Sequence, residues 1–408
     1  PSLQSAHQLT GVPIAVKDNI LIKGKIASAA SKMLANHVAP YDSTVTARLK
    51  KVHPVILGRV NMDEFAMGTS TEHSAFGPTK NPVDITRVPG GTSGGSAAAV
   101  AAHLAPIALG TDTGGSVRQP AALCGVYGFK PTYGGISRFG LIAMGSSLDQ
   151  LGIVSRTVGD IESVFDVVRG LDVHDGTTLP DAPSPEIKKR IGVPRDFVKD
   201  AQPDVVKVFE QSLTKLAADG YEIVDIQLPV APHALAAYYI IMPAELSTNL
   251  ARYDGMRYGL HVDGKNLLDD YKQSRAAGFG AETRRRIILG TYVLSAGYYD
   301  AYYRRATLLR AELVKEFDAV FKDISYIATP TAPGPAFKIG EKQDPLSLYL
   351  EDIFTVSANL AGVPAISAPF GTVERDGIAL PVGVQFMAQK RGEQALFQIA
   401  RDLMGEKE

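Results

Sequence analysis

Short, almost wholly apolar runs alternate along this chain with longer stretches in which apolar residues recur at helical spacing. Val12 to Lys17, Val55 to Gly58, Ile191 to Val193 and Tyr326 to Ala328 each predict a short buried strand. Ser96 stands where a cap would precede a helix over Ala97 to Leu104. From Tyr298 to Phe321, Leu309, Leu313, Phe317 and Val320 fall on one helical face with charges between them. Strands alternating with helices predict an α/β fold. Thr177 to Pro185, rich in Pro, Asp and Ser, reads as a surface loop because the pattern is alike on both sides of it. Residues 1–408 therefore read as one domain, with 232–300 a helical segment suited to facing a substrate.

Composition narrows the class. Of 408 residues 45% are hydrophobic and 21% charged, the balance of an ordinary globular chain. The longest small and apolar run, from Ala97 to Leu109, is broken by His103 and Pro106, so no membrane span is expected. With 42 basic against 43 acidic residues there is no broad positive field to attract phosphate backbones, and direct, extensive nucleic-acid binding is not expected. A single cysteine, Cys124, excludes an internal disulfide or a cysteine-built zinc site and suits a reducing, cytoplasmic setting. No pair of histidines has metal-ligand spacing, so no metal is expected. No charged, apolar and small-residue leader pattern follows Pro1, so nothing points to secretion.

The candidate chemistry lies in glycine-rich loops. Pro89-Gly90-Gly91-Thr92-Ser93-Gly94-Gly95-Ser96 runs straight into a helix, but no Lys-Ser or Lys-Thr follows, so it is not a nucleotide-binding P-loop. Gly91 to Gly95 satisfies the G-x-S-x-G pattern, which would make Ser93 the nucleophile of an α/β-hydrolase. That fold needs a late histidine, and the chain has none in its last third. A second loop, Gly110-Thr111-Asp112-Thr113-Gly114-Gly115-Ser116, sets a serine after two glycines, where successive N–H groups can converge on a developing oxyanion. Pro120 suits the first position of the following helix and Gly125 its end. Lys17, at the end of an apolar strand, is costly unless it is paired or functional, and burial would drive it toward the neutral amine.

Val16-Lys17-Asp18, Gly90 to Ser96 and Gly110 to Ser116 together resemble the amidase signature family over nearly the whole chain. The resemblance implies that family's α/β fold, a large central mixed β-sheet flanked by helices. It also implies a Ser-Ser-Lys arrangement with Ser116 as nucleophile and Lys17 as base, bridged by a hydroxyl residue in a cis peptide. The family places the bridging serine 24 positions before the nucleophile, which is Thr92 here, with Ser93 as an alternative relay. Backbone N–H groups of Thr113, Gly114, Gly115 and Ser116 are the expected oxyanion donors.

Asn61 to Glu72, Arg138 to Leu141, Ser146 to Gln150, Leu289 to Tyr292, Gly297 to Tyr303 and Asn359 to Pro364 are similar to the glutaminase subunits of tRNA-dependent amidotransferases. Against them the chain looks short at both ends, lacking helices before the lysine strand and the end of a C-terminal tail. That resemblance implies glutamine as substrate, with Arg286, neighboured by Arg285, for its α-carboxylate and Asp352 for its α-ammonium. Tyr238 or Tyr239 would close the pocket. It implies no cofactor for this chain, and partner subunits B and C, with ATP and Mg²⁺ used by B and tRNA held only through the complex. A stand-alone amidase of the same fold, acting on small amides, is the rival reading.

Overall fold

The computed structural model describes residues 7–406. Its ten strands form one mixed sheet. They are β1 (Pro13–Lys17), β2 (Val55–Val60), β3 (Ile107–Asp112), β4 (Tyr127–Lys130), β5 (Gln150–Ser155), β6 (Arg190–Val193), β7 (Glu222–Asp225), β8 (Tyr326–Pro330), β9 (Ala365–Arg375) and β10 (Ile378–Met387). The order across the sheet is β2-β1-β3-β5-β4-β9-β10-β8-β6-β7. β1 runs parallel to β2 and β3, and β6 parallel to β7 and β8, while β5, β4, β9 and β10 pair antiparallel through the middle. The apolar runs are continuous because both faces of the sheet are covered. Ile14, Val16, Leu109 and Phe129 pack into the layer with Phe165 and Phe397, and the intervening Ala15, Ala108 and Val154 face Ala97 and Val100.

Val55 to Gly58 departs from the expected buried strand. β2 is the sheet edge, with Val55 47% and Leu57 52% exposed. The helix expected over 97–104 spans Gly94–Ala101 with Ser93 at its N-cap. Its first two residues, Gly94 and Gly95, lie so close to Thr71 and Asn61 that a Cβ would meet side-chain or backbone oxygen at 2.2 and 2.3 Å. Ser96 is therefore inside the helix, and its hydroxyl donates to Leu109 O at 2.9 Å, fastening the helix to β3. The stretch from Tyr298 resolves into a π-helical turn, Asp300–Arg304, and an α-helix, Arg305–Val320, which buries Leu313 and Phe317. Gly125, at φ 72°, ends the helix Arg118–Cys124 as expected, but Pro120 is its third residue rather than its first.

Within 232–300 lie the helices Ala234–Asn249, Leu267–Gly278 and Ala281–Leu294. A Cβ on Gly290 would come within 1.8 Å of Pro243 O, so glycine there is what lets the first and last of these approach closely. Lys17, Thr111 and Asp112 all stand at the carboxyl ends of the parallel strands β1 and β3, where open α/β sheets leave a crevice for ligands.

Candidate active site

Lys17 is the last residue of β1 and is completely buried. Its Nζ lies 2.7 Å from Thr92 Oγ1, 2.8 Å from Ser93 Oγ and 2.9 Å from Thr111 Oγ1. Burial drives its pKa from 10.5 to about 7, while the carboxylates of Asp63, Asp112 and Asp149 pull upward. The Gly91–Thr92 peptide is cis, and both Thr92 and Ser93 are buried. A Cβ on Gly91 would stand 2.4 Å from Asp63 Oδ2, so the loop passes against a carboxylate that accepts the N–H groups of Thr71 and His73. Ser93 differs from Thr92 in its commitments: its hydroxyl donates to Thr111 O at 3.1 Å while accepting from Lys17. A G-x-S-x-G elbow exposes its serine, whereas this serine is enclosed, so the hydrolase-elbow reading fails.

The second loop is shaped by Asp112. Its carboxylate accepts the N–H of Gly115 at 3.0 Å and of Val117 at 3.2 Å and pairs with buried Arg118 at 2.9 Å. Arg118 also reaches Thr355 O and Asn359 Oδ1, so the loop is anchored to the helix Val356–Ala361. Burial would raise the Asp112 pKa, but Arg118, Lys130 and Asn359 hold it well below the usual carboxylate range. Of the four expected oxyanion donors, the Gly115 N–H is committed to Asp112, whereas those of Thr113, Gly114 and Ser116 have no partner among the described residues. The Thr113 hydroxyl donates to Asp149 Oδ1 at 2.7 Å. Glycines are required here by close approach: a Cβ on Gly114 would meet the Tyr238 ring at 2.5 Å, and one on Gly115, at φ 130°, would meet Thr355 Oγ1 at 2.2 Å.

Ser116 sits two residues before the helix Arg118–Cys124 and is 8% exposed. The loops are joined by Ser93 N–H donating to Ser116 O at 3.0 Å and Gly91 N–H donating to Gln119 Oε1 at 2.9 Å. The Ser116 hydroxyl makes no hydrogen bond among the described residues, so the Lys17–Thr92 leg is formed and the Thr92–Ser116 leg is open.

Beside this loop the fold gathers Arg286, Tyr239 and Asp352 from three separate segments. Tyr239 donates to Asp352 Oδ2 at 2.8 Å, and Arg286 lies over the Tyr239 ring at 5.4 Å. Arg286 is 2% exposed and pairs with Glu282, while Arg285 is half exposed and pairs with the same Glu282 carboxylate. Asp352 is 7% exposed and has no ion-pair partner among the described residues. Burial raises its pKa to about 8, against the opposing effects of the Tyr239 hydrogen bond and Arg286. Thr355 joins the cluster to the loop, its hydroxyl lying 2.6 Å from Gly114 O and 3.1 Å from Asp352 O.

Sequence reasoning passed over Thr111, Asp112, Asp149 and Thr355 as site-builders. Asp112 and Asp149 lie inside the motifs that drew attention, but their role as loop anchors depends on which N–H groups the fold points at them. Among the described residues no group of His, Cys, Asp and Glu is placed to hold a metal ion, and no helix is long and apolar enough to cross a membrane.

A family model described as Amidase matches residues 3–397. The A-type subunit of glutamyl-tRNA(Gln) amidotransferase from Thermodesulfovibrio yellowstonii is 52% identical over 96% of this chain and 82% of its own length. The protein of the same description from Roseiflexus castenholzii is 51% identical over 97% of this chain and 82% of its own. The crystal structure of the corresponding glutamyl-tRNA(Gln) amidotransferase protein from Thermotoga maritima superposes with a TM-score of 0.82 at 43% identity, covering 97% of this chain and 83% of that one.

Proposed function

The chain belongs to the amidase signature family, and from that premise we propose that it is the glutaminase subunit of a tRNA-dependent amidotransferase. It hydrolyses glutamine to glutamate and supplies ammonia for converting Glu-tRNA(Gln), Asp-tRNA(Asn) or both to the amidated forms. The observation that carries this reading is the bridge made by Thr355, which links a cation-and-carboxylate cluster fitted to an amino acid's α-groups to the loop bearing Ser116.

In this reading neutral Lys17 takes a proton from Thr92 as Thr92 takes one from Ser116, and Ser116 Oγ attacks the side-chain amide carbon. The N–H groups of Gly114 and Ser116 receive the oxyanion. The proton returns through Thr92 to the leaving nitrogen, ammonia departs, and water hydrolyses the acyl-enzyme. Thr92 rather than Ser93 serves as relay because the Ser93 proton is committed to Thr111 O. Arg286 receives the α-carboxylate and Asp352 the α-ammonium, whose positive charge favours the ionised carboxylate against the effect of burial; Tyr239 orients Asp352.

Subunits B and C are the partners of this reading, with ATP, Mg²⁺ and tRNA handled by B, and the complex works in the cytoplasm. The test is release of ammonia and glutamate from glutamine by the purified chain, alone and with B and C. Activity that depends on the partners and vanishes in Ser116→Ala supports the reading. Cleavage of small amides without partners, with glutamine left intact, would establish the rival stand-alone amidase.

A further inference from the structure

The guanidinium of Arg286 is held more firmly than contact with a ligand alone would require. Its Nε donates to Glu282 Oε1, one helical turn back, at 2.7 Å. The Tyr239 and Tyr349 rings lie 5.4 and 5.1 Å from its central carbon and stack on each other at 4.1 Å, with 20° between their planes. The Tyr349 hydroxyl donates to the same Glu282 Oε1 at 2.9 Å. Glu282 is 5% exposed, so this carboxylate is an interior anchor rather than a surface partner. Tyr349 ends the short helix Pro345–Tyr349, and the chain turns directly through Leu350–Asp352 to the carboxylate that Tyr239 holds.

Two structural ties therefore join the cation to the carboxylate: the stack of Tyr349 on Tyr239, and the three-residue step of backbone from Tyr349 to Asp352. A long arginine side chain left to itself samples many rotamers, and fixing it costs conformational entropy. An anchored, planar guanidinium instead presents its remaining edge in one orientation, as carboxylate recognition requires.

We propose that Glu282 and Tyr349 are positioning residues that set selectivity for α-amino-acid amides, holding Arg286 at a fixed orientation and separation from Asp352. This rests on the glutaminase reading and goes beyond it by assigning roles to residues that touch neither Ser116 nor the scissile amide. Binding is affected and chemistry is not, because the Lys17–Thr92–Ser116 groups stand on other segments.

The test is steady-state kinetics of the full chain with its partner subunits, comparing wild type with Glu282→Gln and Tyr349→Phe. The substrates are glutamine and butyramide, which has the scissile amide but no α-groups. Loss of a charge-assisted hydrogen bond predicts a KM for glutamine raised about tenfold in Glu282→Gln. A smaller rise is expected in Tyr349→Phe, with kcat and the butyramide rate unchanged in both. Tyr349→Phe removes one oxygen only, so it decides the matter where Glu282→Gln does not fold. An unaltered glutamine KM in a wild type that does cleave glutamine overturns this inference alone, as does an equal loss on both substrates. A wild type that cleaves butyramide and leaves glutamine intact overturns the glutaminase reading together with it.

Discussion

Two lysines of this chain end apolar strands, and residue-level physics treats them alike until their neighbours are known. Lys17 and Lys130 are both fully buried, and burial drives the pKa of each to about 7. Lys130 Nζ donates to the carbonyls of Pro131 and Val363, which have no proton to exchange. Lys17 faces the hydroxyls of Thr92, Ser93 and Thr111, so it alone has a route for a proton. The expected consequence is a pH profile. A base must be neutral to act and Asp352 must be ionised to take the α-ammonium, so kcat/KM for glutamine should level off above about pH 8, fall about tenfold per unit between about 8 and 7, and fall more steeply below as both groups protonate. A kcat/KM for glutamine that stays flat from about pH 5.5 to 8 would remove Lys17 from the role of base. The apolar setting of Lys17 is legible in sequence. Its distinction from Lys130 is not, because the hydroxyls arrive from residues more than seventy positions away.

At the scale of elements, the loop from Thr113 to Val117 depends on glycine for steric reasons. Gly115 combines a φ of 130° with a Cβ position 2.2 Å from Thr355 Oγ1. Gly115→Ala must therefore displace either the loop or the Thr355 hydroxyl that links it to Asp352. Misplaced oxyanion donors typically cost about 10²–10³ in kcat, and a loss of that order is expected while circular dichroism shows the fold retained. A variant with wild-type kcat would mean the loop does not position the reacting groups. The Gly-Gly-Ser spelling announced a tight, donor-rich loop, but which N–H groups stay free was decided by Asp112, whose carboxylate takes that of Gly115. Ser96 has the chemistry of a cap, but the helix starts before it at Gly94 and the Ser96 hydroxyl is spent on Leu109 O of β3, a partner that no local pattern names.

For the molecule as a whole, the buried Asp112–Arg118 pair is the junction between the β3 end, the helix Arg118–Cys124, the helix Val356–Ala361 and β10. Removing one partner of a buried pair leaves an uncompensated charge and typically costs about 3–5 kcal/mol. Arg118→Leu should lower the unfolding free energy by that amount in denaturant titration, and a change under about 1 kcal/mol would show that the pair is not a structural junction. The alternation of apolar strands and helices, and the glycine and hydroxyl loops beside a buried lysine, were determined by the sequence alone, because burial periodicity and loop chemistry are local properties. The edge position of β2, the commitment of the Gly115 N–H to Asp112 and the assembly of Arg286, Tyr239, Tyr349 and Asp352 were decided by tertiary structure. Those features arise where segments far apart in the chain meet, and no local pattern records which hydrogen-bond donors and acceptors face one another across such a junction.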